Sequence, residues 1–307
     1  MLTAIVLAAT LRFPDAQPPV IMDYLATEGE RVWVPAGNTG NVYVLDGGKF
    51  KTIVGFATKK GRNDRLMGPS SVTVGEGSVY VGNRGDNRIW AIDPKTLEKK
   101  ASVEMPSTPD GTFWVATTKE VWVTTPRDNS IQIVDAALKA ISGRIALDSP
   151  EGYVVDAEKG VVYTNQEEKD KTVAIDAKSR KILATWESGC GKEGPRGLAL
   201  DPARGALMVA CAVGGVNVLD TKTGARKGHI DVGEGVDNID YLPARSLLYA
   251  SAGRSEKAVI ARLKDDGTLE LVKSEPVGKG CRVIVATPDG TGYAADSGAG
   301  QLWLVKP

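Results

Sequence analysis

The sequence predicts an all-β fold: a seven-bladed β-propeller, its ring closed by the N-terminal strand completing the C-terminal blade. Three observations predict it. One strand motif recurs seven times, about 43 residues apart, within the range of propeller blades. Four short strands accompany each copy, which is the content of one blade. No segment carries a sustained 3.6-residue hydrophobic period, so helix is expected to be nearly absent.

The second strand of each blade carries an aromatic or Met anchor: Trp33, Tyr80, Trp122, Tyr163, Met208, Tyr249 and Tyr293. The third strand follows and ends at Asp in 42–46, 89–93, 131–135, 172–176 and 216–220, with degenerate copies at 258–262 and 301–305. Asp and Gly recur just after it because both favour tight turns. The strand before each anchor, as in 71–74, 197–201 and 282–286, is β-branched or small and apolar. That composition suits a strand buried on both faces near a central axis. A fourth strand follows each turn, as in 51–55 and 101–105. The expected organisation is one domain over 1–307, with blades near 18–67, 68–108, 109–149, 150–194, 195–235, 236–280, and 281–307 plus 1–14.

The last blade holds three strands, while an extra apolar segment, 4–14, precedes the first. That segment resembles 100–106, an outer strand running into Pro. Ring closure explains both ends, since an open ring would leave exposed strand edges. A signal peptide is the competing reading, but it wants a basic flank, and none precedes Leu2.

These repeats resemble the YVTN-repeat or YncE-like family of seven-bladed propellers. The residues 195–211, Pro-Arg-Gly-Leu-Ala-Leu-Asp-Pro-Ala-Arg-Gly followed by Ala-Leu-Met-Val-Ala-Cys, carry the resemblance. Blade 2, from Gly68 to Asp93, also resembles an NHL repeat. No Trp-Asp dipeptide ends a strand and no Gly-His opens a blade, so the WD40 pattern is not met. The literal Tyr-Val-Thr-Asn string is absent too. The resemblance covers essentially the whole chain and implies architecture rather than an activity.

Composition narrows the function classes. Lys plus Arg and Asp plus Glu both total 38. A general nucleic-acid binder carries positive excess, so nucleic acid is not expected as a partner, although a local patch can hide within the balance. No apolar run reaches the roughly 18 residues of a transmembrane helix. There is one histidine, His229, expected on an outer strand, which removes most zinc, copper and triad chemistry. The short basic stretches at 59–62 and 99–100 read as solvated faces.

Blade topology places two sets of loops on one face, at the mouth of the central channel. Loops leading into the innermost strands contribute Asp23, Asp110, Glu151, Arg196, Asp237 and Arg282. Loops leaving the second strands contribute Asn38, Asn83, Arg84, Thr125, Asn165 and Asp296. Converging polar groups in a cavity form the default binding site, whereas singly they only cap strands. Oxygen ligands suit calcium, and Glu151, Asn165 and Asp296, with Asn83, are the candidate set, as in six-bladed lactonase-type propellers. Cys190 and Cys211 are expected on this face and near enough for a disulfide. That bridge would favour an extracytoplasmic compartment, periplasmic or secreted. Cys281 is the odd thiol, beside Arg282 but without a base.

Two functions compete. The first is a non-catalytic scaffold, expected to be a monomer, binding an unknown ligand or protein partner at the channel mouth. The second is a calcium-dependent lactonase-type hydrolase with an axial metal. A scaffold partner of an electron-transfer enzyme is a third, but the chain has no Cys-x-x-Cys-His for haem attachment.

Overall fold

The computed structural model describes residues 9–61 and 64–307. Seven four-stranded antiparallel sheets succeed one another along the chain. Their innermost strands are Ala26–Glu28, Pro69–Val74, Thr112–Val115, Pro150–Asp156, Pro195–Asp201, Asp240–Leu242 and Cys281–Ala286, for blades 1 to 7. Among the described residues the helical elements are short 3-10 turns such as Gly37–Thr39, Pro126–Asp128 and Glu167–Lys169.

Blade 7 is the one built from both ends of the chain. Thr10–Arg12 pairs antiparallel with Gln301–Val305, Thr10 facing Trp303 and Arg12 facing Gln301. Leu304 N–H donates to Ala9 across the same seam, and Phe13 N–H donates to Gly300. Residues 1–8 of the expected closing segment lie outside the described residues, as does Arg62 of the basic stretch at 59–62.

The core lies between blades, because each sheet has two apolar faces and must cover both. Phe13, Val20, Val34 and Tyr43 pack with Val283 and Leu302 where blade 7 meets blade 1. The anchors Trp33, Trp122, Met208 and Tyr249 are fully buried, each side chain contributing about 1.5–3 kcal/mol by leaving water. Several also latch the next blade. Tyr80 donates to the carbonyl of Ala136 and Tyr249 to that of Gly290, both at 2.8 Å. Tyr293 departs from the pattern: it is only half-buried, at the margin of the cluster joining blades 7 and 1.

The Asp that ends a third strand works as the turn chemistry predicts. Asp93 accepts from the backbone N–H groups of Lys95 and Thr96, and Asp220 from those of Lys222 and Thr223. An ion pair with Lys100 and these N–H groups hold the Asp93 carboxyl down at about 2.

One element breaks the repeat. Between blades 1 and 2 a small hairpin pairs Lys59–Lys60 with Leu66–Met67. The chain re-enters the ring through Gly68, whose carbonyl accepts from Arg84 N–H at 2.9 Å. The hairpin therefore stands on the channel-mouth face.

Candidate functional site

The mouth is built by one position per blade, at the start of the innermost strand: Asp23, Ser70, Asp110, Glu151, Arg196, Asp237 and Arg282. In four blades a β-bulge sets the geometry there. Pro69 faces Asn83 and Ser71 faces Gly82, so Ser70 is left unpaired. Cys281 faces Asp296 and Val283 faces Ala295, leaving Arg282 out of the ladder. Similar shifts fall at Gly152 and at Arg196–Gly197. A bulge re-aims a side chain and increases local twist, and here the redirected residues belong to the mouth. In blades 4 and 5 the sequence signal is Pro-x-Gly, at 150–152 and 195–197. Its glycine has a packing reason: Gly152 sits at φ +64°, and a Cβ there would lie 2.2 Å from the Arg196 carbonyl oxygen.

Across the mouth runs an alternating chain of charges, Asp110–Arg84–Asp23–Arg282–Asp237, drawn from blades 3, 2, 1, 7 and 6. Arg84 Nη2 lies 2.9 Å from Asp23 and contacts Asp110 more closely still. Arg282 binds Asp237 closely and reaches Asp23 at 3.5 Å. Burial works against the Arg84 charge, but Asp110 and Asp23 more than offset it and raise its pKa further. Asp237 does the same for Arg282. Both guanidiniums stay charged.

Three carboxylates against two guanidiniums leave one negative charge in excess. Glu151 lies beside this group, and its carboxyl is pushed well up, by burial first and then by Asp110 and Asp237. It is held through the hydroxyl of Tyr24, which donates to it. Tyr24 belongs to blade 1 and Glu151 to blade 4, so the side chain spans the channel. The N–H of Gly152 donates back to the Tyr24 oxygen at 3.3 Å. Tyr24 stacks on Tyr153 at 5.5 Å between ring centroids, and Tyr153 on Phe113 at 4.2 Å. The neck of the channel is thus plugged by an aromatic stack.

Beneath the plug lies a cavity of about 180 Å³, lined by Tyr24, Tyr153, Asn238 and Asp240 among others. Burial pushes Asp240 up to about 6, against two backbone N–H donors from Ala286 and Tyr241. Above the plug lies a cleft of about 350 Å³, lined by Ile21, Leu66, Met67, Ser70 and four arginines: Arg65, Arg84, Arg127 and Arg282. Arg65 precedes Leu66–Met67 of the extra hairpin, and Arg127 lies on the turn between the second and third strands of blade 3. The hairpin has no counterpart in the other blades, and the turn of Arg127 has counterparts at Gly37–Thr39 and Glu167–Lys169 that hold no arginine, so the reading of the repeat passes both residues by.

The residues leaving the second strands fare differently. Only Arg84 joins the charged chain. Asn38 exchanges hydrogen bonds with the backbone of Pro19 and Ile21. Asn83 caps its own turn through Gly85 and Asp86, and Thr125 bonds Ser130. Asn165 donates to the Arg196 carbonyl and accepts from Thr172. Asp296 accepts from Trp303 Nε1 and Ala299 N–H. Within the calcium set, Glu151 faces Asn165 across one ladder, while Asp296 is engaged within blade 7. Among the described residues no group of three or more His, Cys, Asp or Glu is arranged to hold a metal ion. Arg196 pairs with Glu167 on the blade 4 side.

Cys190 and Cys211 form a disulfide, with Cα atoms 5.0 Å apart. Cys281 is a buried thiol, its pKa pushed well up by burial and by the Asp296 charge. His229 is exposed on an outer strand, its Nδ1 2.8 Å from Asn217.

The chain is a seven-bladed β-propeller. Its whole length superposes on propellers of known structure. A chain of the mitotic checkpoint complex matches with a TM-score of 0.79 at 16% identity, covering 100% of both chains. Virginiamycin B lyase from Staphylococcus aureus matches at 0.75 and 14% identity, over 97% of this chain and 98% of that one. The WD40 propeller domain of Doa1 matches at 0.74 and 14% identity, over 97% and 95%. At such identity the likeness concerns the fold alone, and it spans both WD40 and lyase propellers. No protein-family model matches the sequence, and no curated protein is similar to it in sequence. No helix among the described residues is long and apolar enough to cross a membrane.

Proposed function

We propose that this chain is a non-catalytic propeller that binds a ligand or a protein partner at its channel mouth, in the manner of the YVTN-repeat and YncE-like propellers its repeats resemble. One observation supports this most. Each mouth carboxylate already has a partner: Asp23 and Asp110 have Arg84, Asp237 has Arg282, Glu151 has Tyr24 and Glu167 has Arg196. A general base needs a free lone pair within reach of the proton it takes, beside a nucleophile. At the mouth the carboxylates are engaged by guanidiniums or by Tyr24, and none of these contacts pairs a base with the Ser70 hydroxyl.

The same pairing speaks against the calcium-dependent lactonase reading. A hard cation wants several free anionic oxygens, but the Glu151 carboxyl is raised by burial and bonded by Tyr24, and Asn165 and Asp296 are spent on local structure. A lyase reading fares no better. A histidine-to-alanine variant of the similar virginiamycin B lyase is described as catalytically inactive. In this chain His229 stands on the rim of blade 5, away from the mouth.

The experiment is an assay of the purified chain against a lactone panel, with calcium and with chelator. No turnover above the uncatalysed rate is expected in either. Turnover that vanishes with chelator and returns with calcium would overturn the proposal.

A further inference from the structure

We propose that the arginine-lined cleft above the Tyr24 plug binds a small polyanion carrying at least two oxyanion groups, phosphate or carboxylate. This deepens the mouth-binding reading and rests on it. The cleft draws four guanidiniums to one cavity of about 350 Å³, and no carboxylate residue is among those lining it. They come from four places in the chain: the extra hairpin, the loops after the second strands of blades 2 and 3, and the bulge of blade 7.

Two of the four are spoken for. Arg84 and Arg282 are tied from below to Asp23, Asp110 and Asp237. Arg65 and Arg127 are not. Among the described residues neither makes an ion pair, and the one side-chain hydrogen bond of the two is Arg127 to Thr108 at 3.4 Å. Burial and the neighbouring Arg282 and Arg84 charges pull the Arg65 guanidinium below its usual range. The four guanidiniums outnumber the three carboxylates beneath them by one, so the cleft keeps a net positive charge although the whole chain is neutral. A second cleft of about 440 Å³ adjoins it, sharing Arg65 and Arg282 and adding Arg254 and Lys279.

The size and the donors fix the ligand class. Clefts of several hundred Å³ suit small molecules rather than a folded partner. Guanidiniums present paired N–H donors that match carboxylate and phosphate oxygens. Two clefts on either side of the Arg65–Arg282 pair call for more than one anionic group. Ile21, Leu66 and Met67 add apolar contact beside the charges.

The test is calorimetric titration of the full chain with inorganic pyrophosphate and, separately, with citrate, in 50 mM and 300 mM salt. Binding is expected at low salt and weaker at high salt, because ions screen exposed charges. Tighter pyrophosphate assigns phosphate as the natural group, and tighter citrate assigns carboxylate. Arg65→Ala and Arg127→Ala should each weaken binding about tenfold, the loss of one charge-assisted hydrogen bond. Neither residue belongs to the buried ion pairs, so folding should survive. Arg180→Ala, which breaks a pair with Glu120 far from the mouth, should bind as wild type.

Failure to bind either anion in 50 mM salt overturns the inference, and so does an oligonucleotide or polyglutamate peptide binding where neither small anion does. Amide hydrogen exchange separates this failure from that of the mouth reading. If the anions fail but an uncharged ligand protects residues 65–68 and 127–129, only the polyanion falls. If the anions bind and protect amides elsewhere, both readings fall.

Discussion

Residues leading into the innermost strands and residues leaving the second strands share one face of this propeller and do opposite work. The first set, Asp23, Asp110, Glu151, Asp237 and Arg282, meets across blades at the axis. Of the second set, Asn38, Asn83, Asn165 and Asp296 spend their polar atoms on nearby backbone and loop groups. Blade position alone does not separate them. Bulges leave Arg282 out of its ladder and fall beside Glu151, while the second set ends regular strands with short side chains. Arg84 crosses the divide because its side chain is long enough to reach Asp23 and Asp110. A ring of polar positions is thus two things: an inner electrostatic keystone and an outer set of loop caps.

The sharpest way to break this comparison is to open the ring. Deleting residues 1–14 removes the partner of Gln301–Val305 and the contacts of Phe13 with Tyr43. It also loosens the seam where Asp23 meets Arg282. Cooperative urea unfolding should be lost, and an unchanged midpoint would show that the mouth holds the ring without its latch. Next in size is Asp23→Ala, which takes a shared partner from two guanidiniums. The cost should be about 3–5 kcal/mol, toward the lower end because Arg282 is partly in solvent. The disulfide follows. Cys211 ends a second strand, so blade 5 fixes covalently what other blades hold by hydrogen bonds. Replacing both cysteines with Ser should cost about 2–4 kcal/mol, read as a melting shift absent in reductant.

Glu151 gives the inner set a pH signature. Its folded pKa is raised, so above the ordinary Glu value of about 4.3 the folded chain holds a proton that the unfolded chain has lost. The stability this proton confers is complete below about pH 4 and declines as the pH rises through the raised value. Asp240, raised to about 6, adds the same sign over the lower part of that window. Glu151→Gln keeps the acceptor for Tyr24 and removes the ionisation. It should match wild type at pH 4 and melt higher at pH 8, by about 1.4 kcal/mol for each unit of displacement. A variant less stable than wild type at pH 8 would mean that the carboxylate is wanted in its charged form.

Much of this was legible in the chain itself. The 43-residue period carries the fold because every blade must bury the same two faces, so its apolar pattern repeats. The inner positions were legible for the same reason, from topology. Three things were not. Tyr24 plugs the channel through a contact made once, with no counterpart in other blades. Arg65 sits on the hairpin that departs from the repeat, and Arg127 stands two residues beyond Thr125 in a turn whose counterparts carry no arginine. And Asn165 and Asp296 were read as axial because topology places a backbone, while the reach of a side chain is decided by its neighbours.

The smallest effect tests that last point. Asp296→Asn keeps size and one acceptor while removing the charge, and Asn83→Ala removes a cap. If both only serve their own loops, each should cost about 1 kcal/mol, the worth of one or two net hydrogen bonds. Neither should alter anion binding at the mouth. Cys281 makes the Asp296 experiment more telling. Its thiol is raised partly by that carboxylate, so the Asn variant should lower the Cys281 pKa and leave the Arg84 and Arg282 pairs intact. Slow thiol labelling that quickens while the mouth still binds would keep the two sets apart. A loss of binding would join them, because Gly278 and Gly280, packed against Asp296, lead directly into the Arg282 bulge.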